Sequence, residues 1–315
     1  MSTEQLLNRA LGAYLGFACG DALGATVEFM SPKQIQKRYG VHRDIIGGGW
    51  LALEAGQVTD DTQMSLALGQ AIVDHQGWNI QAVADNFVAW LESNPPDIGN
   101  TCRRGITRYR DNGELFGLPR DDDAGNGACM RNLPVVLSTL NRPDYFSEWS
   151  LQQNHITHNH PLSDAATLTL GRIVNHLLTD QDMDACKREA GQLISQYGEF
   201  AYSPYPGKAS AYIVDTVQTV LHYFFSTDSF ESCLVATVNQ GADADTTGAL
   251  AGMLAGAKYG VDRIPERWLM RLDRQVVEQI RQQTLALIRL ADSIAPPPEG
   301  YAQVSPPDSP LPNAR

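Results

Sequence analysis

Apolar residues recur at helical spacing along almost the whole chain, and alternating runs of useful strand length are nearly absent. The spacing predicts helices over 4–19, 62–74, 80–92, 100–111, 126–139 and 163–178. Five more are predicted over 183–197, 209–225, 230–239, 246–258 and 273–291. Proline and glycine punctuate the gaps, at Pro95-Pro96, Gly117-Leu118-Pro119, Pro143, Pro161 and from Pro204 to Gly207. This pattern predicts an all-α protein, a single compact multi-helix domain over residues 1–295. There the periodicity stops. Residues 296–315, "PPPEGYAQVSPPDSPLPNAR", are Pro-rich and read as a disordered tail that the chemistry does not need.

Two segments carry a glycine at every fourth position: Gly12, Gly16, Gly20 and Gly24, then Gly248, Gly252, Gly256 and Gly260. Fourfold spacing lines one ridge of a helix, although each series runs past its helix end. An interior helical glycine costs about 1 kcal/mol relative to alanine. Two such ridges make sense where another backbone must approach closely, so they predict tightly packed central helices.

Composition narrows the function classes. With 315 residues the chain can bury one large core or two modest ones. It is 43% hydrophobic and 19% charged, with net charge −12 and a pI near 4.9. No dense Lys/Arg cluster occurs, which argues against a nucleic-acid binder. Five scattered cysteines without a CxxC pair point to reduced thiols in the cytosol. The apolar "ALGAYLGFACG" near the start lacks a basic flank, carrying Glu4 and only Arg9 before it. No run reaches the roughly 18 apolar residues of a membrane span. The expectation is a cytoplasmic protein, neither exported nor membrane-spanning.

The chemistry concentrates in two acidic clusters. In "GQVTDDTQMSLALGQAI", Thr59, Asp60 and Asp61 stand directly before an apolar helix, where such residues are ordinary caps. "NQGADADTTGALAGMLAG" repeats the arrangement with Asp243, Asp245, Thr246 and Thr247. A calcium loop fits Asp243, Asp245 and Gly248 but fails at Leu254, where a bidentate Glu is required. Taken together, the clusters would gather four carboxylates and two hydroxyls at two helix N-termini. Four ionised Asp in one place repel without cations, and an all-oxygen set suits Mg2+ or Mn2+. So many carboxylates predict two ions, roughly 3.5–4 Å apart.

"GDALGATVEFM", "TDDTQMSLAL", "GNGACMR" and "NQGADADTTGALAGMLAGA" resemble the ADP-ribosylglycohydrolase family. "HRDIIGGGW", "NPPDIGNTCRRGI" and "THNHPLSDAA" look more narrowly like the branch acting on the nitrogenase iron protein. The resemblance covers about residues 6–290. It implies an all-α fold with a binuclear manganese or magnesium centre that cleaves ADP-ribose from protein side chains. Thr59, Asp60, Asp61, Asp243, Asp245 and Thr246 become the implied metal ligands, beside any capping role.

Asp97 becomes the prime catalytic candidate, although it could be a plain cap. Glu28 becomes a second acid beside metal and ribose, although alone it reads as an exposed loop carboxylate. Asn100 is placed near the ribose. "DDDAGNGACMR" is a small-residue loop leading into a helix, and by resemblance Gly125, Asn126, Gly127 and Ala128 bind diphosphate. Asp121, Asp122 and Asp123 would repel phosphate and are expected to face solvent. Of His155, His158 and His160, the resemblance selects His158 as a substrate contact; their spacing does not support zinc. Tyr212 is a candidate stack for adenine, with a core tyrosine as its rival.

The implied reaction is hydrolysis of the N-glycosidic bond between ADP-ribose and an arginine of the iron protein, reactivating nitrogenase. The same resemblance implies a PII-type signalling protein as a partner. Through it the membrane ammonium channel would provide reversible peripheral attachment. The rivals are a hydrolase of another linkage, such as ADP-ribosylserine, and a catalytically silent ADP-ribose-binding relative. Intact acidic motifs argue against silence, and the absence of a His-Asp dipeptide argues against an HD-type phosphohydrolase.

Overall fold

The computed structural model describes residues 2–140 and 142–295. Fourteen helices appear among them. The first seven are α1 Thr3–Gly24, α2 Pro32–Tyr39, α3 Asp60–Asp74, α4 Ile80–Glu92, α5 Asn100–Asn112, α6 Leu133–Ser138 and α7 Pro143–His155. The second seven are α8 Pro161–Thr179, α9 Met183–Gln196, α10 Ile213–Ser226, α11 Phe230–Val238, α12 Ala244–Tyr259, α13 Glu266–Leu269 and α14 Arg274–Ser293. Extended pairing among the described residues is limited to two isolated bridges, Gly48 with Leu53 and Gly125 with Tyr212. The all-α expectation holds. The Pro-rich segment 296–315 lies outside the described residues.

Local chemistry sets many of the boundaries. Ser2 with Gln5, and Ser31 with Gln34, close reciprocal capping boxes on α1 and α2. Asp182 accepts from two backbone N–H groups at the start of α9. Gly113, in the left-handed region, ends α5.

At the centre α1 and α12 run antiparallel with their glycine ridges face to face. A Cβ on Gly20 would stand 2.0 Å from the Gly248 carbonyl oxygen, and one on Gly24 would stand 2.1 Å from that of Ala244. Only bare backbone permits this approach, as the ridges predicted. The consequence is positional: the C-terminal end of α1 lies beside the N-terminal end of α12, where the second acidic cluster begins. The helices α3, α8, α10, α11 and α14 pack around this pair.

Three local predictions need correction. The helix predicted over 126–139 is helical only at Leu133–Ser138. Residue Asn126 instead donates its backbone N–H to Ala211 O (3.1 Å), and its side chain to Asp243 and Thr216. Residues 209–212 are not helical, because Ala209 and Ala211 spend their carbonyls on Asp243 N and Asn126 N. The helices α2, α7 and α13 were not anticipated; in α7 the buried Phe146, Trp149 and Leu151 alternate with buried polar residues, which blurs the periodicity.

Candidate metal centre

Eight chain segments meet at one cavity of about 330 Å3. The end of α1 and its loop bring Glu28, the start of α3 brings Asp60, and the start of α12 brings Asp243, Asp245 and Thr246. The turn into α5 contributes Asp97 and Asn100, and Gly125–Gly127, His158, Phe29, Trp50 and Ala211 also line it. Asp61 and Thr59 lie buried behind the lining.

The two clusters do converge. Asp61 Oδ2 accepts from both hydroxyls, Thr59 Oγ1 and Thr246 Oγ1, each at 3.3 Å. They are not side-chain caps, however, which corrects the dual role expected of them. Neither Thr59 nor Asp243 makes a side-chain cap bond. The cap of α3 comes from Asp21, thirty-eight positions before Thr59, whose carboxylate accepts from Thr59 N, Thr62 N and Thr62 Oγ1. Sequence reasoning missed Asp21 because a capping partner so distant leaves no local signal. Relieved of that duty, the oxygens of Thr59, Asp60 and Asp61 remain available to a cation.

The residues fit a hard divalent ion. Asp61 Oδ1 is buried with no hydrogen-bond partner, a costly state for a carboxylate oxygen that a cation would relieve. Glu28, Asp97 and Asp245 each place an oxygen within 4.8 Å of the others, and the donor set is all oxygen. Protonation follows the same logic. Burial first, then neighbouring carboxylates, push Asp60 up to about 7 and Asp61 and Asp245 well above the usual range. Asp243 is raised by burial to about 6, against the Asn126 amide that donates to it at 2.5 Å.

Glu28 is buried, not an exposed loop carboxylate. Burial raises it to about 8, opposed by Trp50 Nε1, which donates to its Oε2 at 2.5 Å. The exposed Phe29 and Trp50 rings lie 5.2 Å apart and both line the cavity, an aromatic pair the sequence reading did not single out. Phe29 and Ala242 both occupy the left-handed region, at φ 59° and 52°, which is strained for non-glycine residues. Their segments are clamped together: Phe29 N donates to Ala242 O (2.6 Å) and Ala242 N to Met30 O (2.8 Å). This clamp fixes Glu28 relative to Asp243. Asp97 is half-buried and its carboxyl is raised, by burial above all.

The remaining candidates divide. Gly125, Asn126, Gly127, Asn100 and His158 line the cavity; Ala128 is buried outside the lining, and Tyr212 is exposed outside it. Tyr212 is not a core tyrosine, its hydroxyl pointing to Glu199 at 3.4 Å. No helix starts at the glycine loop, since α6 begins only at Leu133, so helix-dipole help for phosphate is absent there. Asp121 and Asp122 are exposed as expected, but Asp123 is buried against Arg104, contrary to expectation. His155 bonds Asp164 (2.8 Å) and His160 caps α8, leaving His158 alone of the three in the lining. All five cysteines are buried and free.

A bundle built on two meshed glycine ridges, with buried acids gathered where their ends meet, defines a class. Residues 2–296 match the profile of the ADP-ribosylglycohydrolase family, and the chain belongs to that family. It is 57% identical over 291 residues to the ADP-ribosyl-[dinitrogen reductase] glycohydrolase of Rhodospirillum rubrum, covering 92% of this chain and 99% of that one. To the ADP-ribosylarginine hydrolase Tri1 of Serratia proteamaculans (strain 568) it is 30% identical, covering 86% and 77%. A solved structure described as an ADP-ribosylglycohydrolase-related protein complex superimposes with a TM-score of 0.80 at 30% identity, over 91% of this chain and 99% of that one. The family is metal-dependent, and the acidic cluster has the oxygen donors to hold a metal ion. Among the described residues no helix is long and apolar enough to cross a membrane.

Proposed function

We propose that the protein hydrolyses the N-glycosidic bond between ADP-ribose and an arginine of the nitrogenase iron protein, and so reactivates nitrogenase. The observation that carries this reading is the 57% identity with the R. rubrum glycohydrolase along nearly the full length of both chains. The buried carboxylates supply the chemistry such a reaction requires.

Thr59, Asp60, Asp61, Asp243, Asp245 and Thr246 would hold two divalent cations, Mn2+ or Mg2+, with Glu28 beside them. Such cations stabilise developing negative charge and lower the pKa of bound water. In the hydrolysis the anomeric carbon exchanges its bond to the guanidine nitrogen for a bond to a water oxygen. Asp97 takes the proton from that water and returns one to the departing nitrogen. Glu28, fixed by Trp50, orients the ribose together with Asn100. The Gly125–Gly127 loop and His158 receive the diphosphate. Tyr212, whose backbone bridges to Gly125, offers its ring to adenine.

The protein acts in the cytoplasm on this reading. Recruitment by a PII-type signalling protein, and through it to the membrane ammonium channel, extends the same proposal and rests on sequence resemblance alone. Co-purification of the three tests it.

Release of ADP-ribose from arginine-modified iron protein is the direct test, run after chelation with and without added Mn2+, beside a serine-linked control. Release from arginine only, restored by Mn2+, is the expected result. Release from serine alone would keep the metal site and overturn the substrate. No release from either, despite metal binding, would leave an ADP-ribose-binding protein.

A further inference from the structure

We infer that Arg131 and Thr157 are positioning residues that hold His158 as a neutral imidazole with its proton on Nε2, a fixed hydrogen-bond donor to an anionic ligand oxygen in the cavity. That the oxygen belongs to the diphosphate of ADP-ribose rests on the proposed function. The tautomer does not.

Arg131 is fully buried, yet no carboxylate pairs with it among the described residues. Its guanidinium donates from Nε to Gln153 Oε1, and from Nη2 to Gln153 O and Thr157 Oγ1, each at 2.8 Å. The group also lies 4.5 Å from the centre of the Phe87 ring. A guanidinium only donates. Thr157 Oγ1 must therefore accept from Arg131, and its single proton must find another acceptor. His158 Nδ1 is there, at 2.8 Å.

The opposite arrangement fails. If Nδ1 carried the proton, Thr157 Oγ1 would accept twice and its own O–H would have no acceptor at a site only 3% exposed. Protonating both ring nitrogens would set a second cation beside a buried first one. Burial, then Arg131 and Arg104, drive His158 well below its ordinary range.

The other end of the ring meets the cavity. His158 is 3% exposed, and its Nε2 makes no hydrogen bond to any described residue. A Cβ on Gly125 would stand 3.0 Å from Nε2, and one on Gly127 would stand 2.8 Å from Cε1. Bare glycines are what allow the ring to lie against this loop. A neutral donor also suits a cavity whose carboxylates await cations. An imidazolium there would repel those ions, while an N–H binds an anionic oxygen without opposing them.

Long-range 1H–15N spectra of the full chain, alone and with Mg2+, read the tautomer directly. The expected ring has a protonated Nε2 and a bare Nδ1, unchanged from about pH 5.5 to about pH 8.5. Thr157→Val should mix the tautomers and raise KM for the ADP-ribosylated substrate roughly tenfold, more than it lowers kcat. Thr157→Ser should restore both. A wild-type ring protonated on Nδ1, or titrating in that range, would overturn the inference, as would Thr157→Val with unaltered ring and KM. If the valine variant does not fold, the wild-type spectrum and the serine variant decide. A wild type that hydrolyses nothing refutes the proposed substrate while the ring spectrum still stands.

Discussion

Asp61 sits at the join of the two acidic clusters, with one oxygen shared between the hydroxyls of Thr59 and Thr246 and the other unpartnered. Without a cation its charge is a liability, since burial and four like-charged neighbours oppose it. Asp61→Asn should therefore stabilise the chelated protein by about 1 kcal/mol and abolish its thermal stabilisation by Mn2+. Melting curves with and without the ion check both halves; a variant still stabilised by Mn2+ would remove Asp61 from the ligand set. Asp243→Ala should lose hydrolysis with its helical circular dichroism intact, and full activity would refute the metal assignment. These acids stood out in the sequence as two short clusters at helix starts, but alone they read as ordinary caps, and the family resemblance made them candidate ligands. Asp21, Arg131 and Trp50 did not stand out. Each is a lone residue whose meaning depends on a partner brought near by the fold, as Thr59 is to Asp21 and Glu28 to Trp50.

The pairing of α1 with α12 converts sequence spacing into site geometry. Gly20→Ala would push a methyl to within 2.0 Å of the Gly248 carbonyl oxygen and force apart the helices that carry Asp21 and Asp245. The expected cost is about 3 kcal/mol, together with weaker cation binding, measured by thermal melting and calorimetric titration. Gly191 in α9 is the contrast, because nothing lies within 4 Å of its Cβ position. Gly191→Ala should be neutral or stabilise by up to about 1 kcal/mol. Equal effects at both sites would deny the ridge its role. The same contrast explains which elements the sequence revealed. Long helices with a continuous apolar or glycine stripe were legible, including α1, α3, α8, α12 and α14. The segment 126–132 has helical spacing but forms turns, because Asn126 bonds across the fold to Ala211, Thr216 and Asp243. Tertiary hydrogen bonds override local periodicity, and they do so where the site is built.

At the scale of the whole molecule, the acidic centre links stability to both protons and cations. An unfolded Asp or Glu titrates near pH 4. In the folded, cation-free chain Asp21 and Asp243 stand at about 6, Asp60 at about 7 and Glu28 at about 8, burial being the largest cause of each. Between about pH 4 and about pH 8 the folded state therefore holds more protons than the unfolded chain. Stability from these groups is complete below pH 4 and is lost as pH rises through their folded values. Surface carboxylates such as Asp122 and Asp182, lowered by Arg120 and by the Ala185 N–H, pull the other way only near pH 4 and below. Divalent cations reverse the slope, since they bind the deprotonated form and compete with protons for it. The chelated protein should thus melt at a lower temperature at about pH 8 than at about pH 5.5, and the rise on adding Mg2+ or Mn2+ should be larger at pH 8. A cation effect equal at both values, or larger in acid, would mean that the ions bind away from these carboxylates.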